Sequence, residues 1–99
     1  MAPRQPKKNR LRVPDHIVAL IRKSHPEIKR KIRAGLEYIQ KEPHVGKSLK
    51  DELEGLKSYR LSRFRIIYRI STENIIDIVA IGPRTTIYEE TFRMIKRTG

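Results

Sequence analysis

The chain has no cysteine and no tryptophan, and only 11 acidic residues stand against 23 lysines and arginines. Without cysteine there is neither a disulfide framework nor a thiolate metal site. No apolar run approaches the ~18 residues of a membrane-spanning helix, and no hydrophobic leader segment opens the sequence. No helix-forming stretch combines lysine with exposed tryptophan or phenylalanine, so no membrane partner is expected. The chain reads as soluble and cytoplasmic. His16, His25 and His44 are scattered without H-E-x-x-H spacing, and there is no glycine-rich phosphate loop and no G-x-S-x-G elbow. Neither metal nor cofactor is expected, and most enzyme classes drop out.

What is present is positive charge. The net charge is +12, and setting aside Arg4, Lys7 and Lys8 still leaves +9. Residues 1–9, with two prolines and no large apolar residue after Met1, read as a disordered basic arm. Residues 10–99 are long enough for one modest core and form a single domain. Such a cationic body fits a polyanion, an acidic protein, or both.

The hydrophobic pattern divides the domain. Leu11-Arg12-Val13 predicts a short strand ended by Pro14, with Asp15 as N-cap of a first helix carrying Ile17, Val18, Leu20 and Ile21. Ser24 and Glu27 have capping-box spacing for a second helix that aligns Ile28, Ile32, Gly35, Leu36 and Ile39 and stops at Pro43. His44–Lys50 reads as loop, and Leu49, Leu53 and Leu56 as one helical turn ended by Gly55. From Ser58 the period changes to two: Ile66, Tyr68 and Ile70 oppose Arg65, Ile67 and Arg69. The intervening hairpin turns at Ser62-Arg63 without glycine. Ile75–Ile81 predicts a strand covered on both faces, extended by Thr85–Tyr88, and Glu89–Arg97 a closing helix with Phe92 and Ile95 inward. The expected architecture is α+β, a mostly antiparallel four-stranded sheet with the helices on one face.

Arginines inside strand segments carry the chemistry. Arg60, Arg65 and Arg84 lie on strands or at their ends, and Tyr88 follows Arg84 by four residues. Fixed guanidinium groups suit phosphodiester chemistry on RNA, where attack by a 2′-OH builds negative charge on the phosphorane oxygens. Each well-placed donor is worth about 3–4 kcal/mol there. Arginine stays protonated and cannot be the base. A tyrosine can be, provided neighbouring cations stabilise the phenolate. The same residues also suit ordinary exposed strand positions and a core aromatic.

Taken in order, Gly46, Leu49-Lys50, Leu53, Gly55-Leu56, Tyr59-Arg60-Leu61, Phe64-Arg65-Ile66-Ile67-Tyr68, Val79 to Arg84 and Ile87-Tyr88 resemble the RelE/ParE superfamily of toxins from bacterial type II toxin–antitoxin pairs. The resemblance runs from Pro43 to Tyr88, and the two preceding helices fit it in order. It implies a small sheet with two N-terminal helices packed on it, a short C-terminal helix, and a cognate antitoxin protein as partner. In the RelE branch it implies a metal-independent, ribosome-dependent mRNA endoribonuclease, with ribosome and mRNA as partners. Arg60 and Arg65 would then bind phosphate and stabilise charge, Arg84 would assist the transition state or leaving group, and Tyr88 would be base or stacking aromatic. Arg63, Lys47, Lys50 and Arg69 are the further cations expected on RNA. In the ParE branch the target is DNA gyrase and there is no nuclease; a member binding only antitoxin or RNA is the third possibility.

Overall fold

The computed structural model describes residues 9–72 and 74–98. Five strands form one sheet in the order β1-β5-β4-β3-β2: β1 Arg10–Arg12, β2 Lys47–Ser48, β3 Lys57–Leu61, β4 Phe64–Thr72 and β5 Ile75–Pro83. Only β1, parallel to β5, departs from antiparallel pairing. Three helices complete the domain: α1 Asp15–Lys23, α2 Pro26–Lys41 and α3 Ile87–Thr98. The α+β class and the mostly antiparallel sheet are as the sequence implies. The strand count is five rather than four, because Lys47–Ser48 lies in the expected loop and is too short to show any periodicity. It pairs with Ser58 and Lys57, and Lys57 Nζ donates to Ser48 Oγ at 3.0 Å. Residues 1–8 of the expected arm lie outside the described residues. Asn9 is tied to α2, donating to the Gln40 carbonyl at 2.7 Å and accepting from Gln40 Nε2 at 2.6 Å.

Two helix starts differ from expectation. Asp15 is not a cap: the Pro14 carbonyl accepts from the Ile17 and Val18 N–H groups, and Asp15 sits within the first turn, where its charge favours the helix dipole. The Ser24–Glu27 capping box does not form, because Ser24 Oγ donates back to the Leu20 carbonyl at 2.8 Å and closes α1. His25 caps α2 instead, its Nδ1 accepting from the Glu27 N–H at 3.2 Å, with Pro26 in the first helical turn.

The helices do not share one face. α1 and α2 bury Ile17, Ile32, Leu36 and Ile39 against Ile66, Tyr68, Ile76, Ile78 and Ile81. α3 lies on the opposite face, where Ile87 packs with Ile67 and Leu56, flanked by Val79, Ala80 and Ile95. The reason is in β4, whose Ile67 falls among arginines and is nonetheless wholly buried. A bulge assists: Ile67 pairs with Ala80 but Tyr68 with Ile78, so Val79 is an extra residue in β5. α3 begins at Ile87, so Thr85–Tyr88 does not extend β5, and the inward residues are Ile87 and Thr91 rather than Phe92.

One buried hydroxyl fixes the α2–β2 connection. Tyr68 on β4 is fully buried, donates to the Pro43 carbonyl at 2.6 Å and accepts from the Gly46 N–H at 2.9 Å. Burial pushes its pKa up, against the lowering effect of the Gly46 bond. A Cβ on Gly46 would fall 2.5 Å from that oxygen, so only glycine lets the backbone approach. At the other end of the sheet Asp77 joins three strands, 2.6 Å from Arg12 Nε on β1 and 3.5 Å from Arg69 on β4.

Two outcomes follow from these contacts. Tyr68→Phe leaves a buried N–H and carbonyl without a partner and is expected to cost about 1–3 kcal/mol in urea unfolding. Unchanged stability would remove Tyr68 as the pin. Burial alone would raise the Asp77 pKa, but the hydrogen bond and charge of Arg12, with Ser71 and Arg69, outweigh it and lower it. Its stabilisation is therefore complete above about pH 4 and is lost as pH falls through the lower folded value. Both arginines are more than half exposed, so Asp77→Asn should cost only ~1 kcal/mol at pH 7 and flatten the acid limb of stability against pH. An unaltered acid limb would locate acid sensitivity elsewhere.

Candidate functional site

The face of the sheet under α3 carries the arginines. Arg60 on β3 and Arg65 on β4 are direct cross-strand partners, so their side chains rise from the same face. Like charges directly opposite destabilise a ladder, and no carboxylate relieves this pair among the described residues. Arg65 is half-buried, and its Nη1 donates to Ser58 Oγ at 3.0 Å. Its guanidinium carbon lies 5.7 Å from the centre of the Tyr88 ring, within cation–π range. The Tyr88 hydroxyl donates to the same Ser58 Oγ at 3.1 Å. One buried serine oxygen thus holds Arg65 and Tyr88 together through neutral contacts, leaving the positive charge unspent for an anion.

Local folding delivers each group. The β3–β4 turn falls at Ser62-Arg63, with Ser62 taking the left-handed φ of 59°, which sets Arg60 opposite Arg65. On β5 the partner of Arg65 is Gly82, where a Cβ would lie 2.8 Å from Ile87 Cδ1. Glycine there lets Ile87 settle on the strand, and the first turn of α3 then lays Tyr88 beside Arg65. Arg84, two residues past Gly82, is exposed, and its N–H donates to the Arg63 carbonyl at 2.9 Å. That bond ties the Arg84 loop to the β3–β4 turn, so Arg63 and Arg84 mark the rim nearest that turn.

The structure brings together Arg60, Arg65 and Tyr88, with Arg63 and Arg84 at the adjoining rim. Lys47 and Lys50 are exposed and flank β3 on its outer side. Arg69 stands apart, on the ion-paired end of the sheet with Asp77. Ser58 was not among the residues singled out by sequence. Its only signal is its position two before Arg60 in an alternating strand, hence on the arginine face. His16, His25 and His44 are all exposed, and the described residues hold no cluster of histidine, aspartate and glutamate able to bind a metal ion. Among the described residues no helix is long and apolar enough to cross a membrane.

Comparison with known proteins places this geometry in context. Residues 4–88 match the family model described as the ParE toxin of the type II toxin–antitoxin system, parDE. The toxin–antitoxin complex RelBE2 of Mycobacterium tuberculosis contains a similar chain, 28% identical, with a TM-score of 0.65 over 79% of this chain and 100% of that one. An arginine-to-alanine double mutant of the E. coli toxin RelE, in the free state, is 14% identical, with a TM-score of 0.71 over 92% of this chain and 98% of that one. The archaeal RelE–RelB complex from Pyrococcus horikoshii is 21% identical, with a TM-score of 0.63 over 79% and 97%. No curated protein matches the chain.

Ser58→Ala removes the acceptor that Arg65 and Tyr88 share. It should cost about 1–2 kcal/mol and free the Tyr88 ring, read as averaged ring resonances by NMR. A ring that stays fixed would reduce Ser58 to a space-filling residue.

Proposed function

The chain belongs to the ParE toxin family of type II toxin–antitoxin systems, and from that starting point we propose that it is a ribosome-dependent, metal-independent mRNA endoribonuclease that inhibits translation. The observation that carries this reading is the Arg60–Arg65 pair, unpaired by carboxylate among the described residues, with Arg65 tied to Tyr88 through Ser58.

The reaction is attack of a ribose 2′-oxygen on the adjacent phosphorus, its proton passing to water, with departure of the 5′-oxygen, protonated by Tyr88 or water, and closure of a 2′,3′-cyclic phosphate. Arg60 and Arg65 hold the non-bridging oxygens, and their charge is worth more as the phosphorane forms. Preorganisation matters here, since Arg65 already has its orientation set before substrate arrives. Arg84, on the exposed rim, neutralises the departing oxygen. The Tyr88 hydroxyl is a hydrogen-bond donor in this structure. In that state it protonates the leaving oxygen or stacks on a base, and it becomes a proton acceptor only by passing its own proton on. Lys47, Lys50 and Arg63 would track the mRNA backbone, whereas Arg69, committed to Asp77, contributes least. Orientation within the ribosome would supply the remaining acceleration.

The partners under this reading are the ribosome, its mRNA and a cognate antitoxin. Toxin–antitoxin complexes among the structural neighbours support the last, and a net charge of +12 suits an acidic toxin-binding segment. A second reading has an observation of its own: the matching family model is that of ParE, the branch expected to poison DNA gyrase.

Cleavage mapping in a reconstituted translation system separates the two. Wild type should cut mRNA at the A-site codon, Arg84→Ala should cut about 10²-fold more slowly, and mRNA without ribosomes should stay intact. Absence of cuts with folded protein and active ribosomes sinks the nuclease reading, and a DNA-damage response on expression with intact mRNA establishes gyrase in its place.

A further inference from the structure

A second concentration of charge lies on the other side of the sheet. α2 buries Ile32, Gly35, Leu36 and Ile39, turns Arg30 and Arg33 to solvent and holds Lys29 half-buried at the flank. With Pro26, Ala34 and Glu37 these three line a shallow groove of about 390 Å³. Arg22 and Lys23 end α1 just across the Ser24-His25 connection. None of these cations forms an ion pair among the described residues.

Helix electrostatics gives this arrangement no net support. Lys29 and Arg33 are like charges four apart, and Arg30 and Arg33 like charges three apart, which offsets what Glu27–Arg30 and Arg33–Glu37 contribute at favourable spacing. Lys29 and Arg30 also follow directly on the first turn, the end that disfavours cations. The excess charge therefore brings the fold no net gain, which points to a polyanion outside the fold.

The lining narrows the occupant. No aromatic or large aliphatic side chain lines the groove, so it lacks the anchors of a protein interface. It equally lacks the stacking platform needed for unpaired bases. What suits it is a regular line of phosphates, met by cations about 6 Å apart along a rigid helix. We propose that the outer face of α2 binds the phosphate backbone of double-stranded RNA through Lys29, Arg30 and Arg33, on the opposite side of the domain from the Arg65 site. The choice of RNA over DNA rests on the proposed function; the ridge itself does not.

The test is binding of the intact protein to an RNA duplex of roughly 16 base pairs, followed by fluorescence anisotropy across a salt series. Lys29→Gln/Arg30→Gln/Arg33→Gln should bind about tenfold or more weakly at moderate salt, with a log–log salt slope shallower by about three. Its melting temperature should hold, because the like-charge pairs relieved and the Glu27–Arg30 and Arg33–Glu37 pairs lost offset one another. Lys96→Gln, an exposed cation on α3 across the sheet, should bind the duplex like wild type. Should the triple variant fail to fold, Arg30→Gln and Arg33→Gln alone should each flatten the slope by about one. Unchanged affinity and slope overturn the proposal, as does an equal loss in Lys96→Gln. Equal wild-type affinity for a DNA duplex of the same sequence overturns the RNA assignment. Loss confined to binding of a polyglutamate peptide assigns the face to an acidic protein instead. Ridge binding that persists while ribosomal cleavage is absent leaves this inference standing and removes only the nuclease reading.

Discussion

The alternation of β4 governs this domain. β4 lies at the middle of the sheet, and every residue from Phe64 to Thr72 must face either α1 and α2 or α3. Ile66 and Tyr68 take one face and close the main core, while Arg65 and Ile67 take the other. A slip of one residue would bury Arg65 beneath the helices and bring Tyr68 out, so the register is strongly specified. Two devices hold it. The Tyr68 hydroxyl grips the Pro43–Gly46 segment on one side, and the Arg12–Asp77–Arg69 ladder ties β4 to β5 and β1 on the other.

Given that register, the arginine face has a particular physical problem. Ile67 must be covered, yet Arg65, two residues before it, must keep access to solvent. α3 solves both by starting late. Its first turn seats Ile87 over Gly82, covers Ile67, and leaves Arg65 at the edge with Tyr88 beside it. A half-buried guanidinium without hydrogen bonds would be costly, and a carboxylate partner would spend its charge. Ser58 meets the first need without the second, which is why a neutral hydroxyl at the floor of the site is more informative than another charge would be.

Much of this was legible from spacing. The pairing of Arg60 with Arg65 follows from two alternating strands and a two-residue turn, and the apolar face of α2 from its 3.6 periodicity. The features that escaped share a cause, in that they depend on contacts rather than period. Ser58 looks like any polar strand residue until Tyr88 arrives from a helix 30 positions later. Thr85-Thr86-Ile87 is β-branched and reads as strand. Pro83 is the last residue of β5, and the Thr86 carbonyl accepts from the Glu90 N–H at 3.0 Å, so the chain turns into helix there. The Val79 bulge, which keeps Ile78 and Ile81 on one face across three positions, leaves no trace in composition.

The distribution of charge then separates fold from function. Where this protein uses electrostatics to hold itself together, it pairs charges, as at Asp77 and in the Arg93–Glu89 contact at 2.6 Å within α3. Where it does not, cations gather without carboxylate partners among the described residues, on the Arg60–Arg65 face and along the outer face of α2. Self-repulsion in both places lowers the stability of the free chain. An anion bound to either surface removes that repulsion and so stabilises the native state by mass action. The protein is thus expected to be least stable alone, with its excess charge a standing free-energy bias toward whatever anionic partner is at hand. An acidic protein segment covering the Arg65 face and RNA reaching it would compete for the same unspent charge, and neutralisation of such a toxin needs no distortion of its fold.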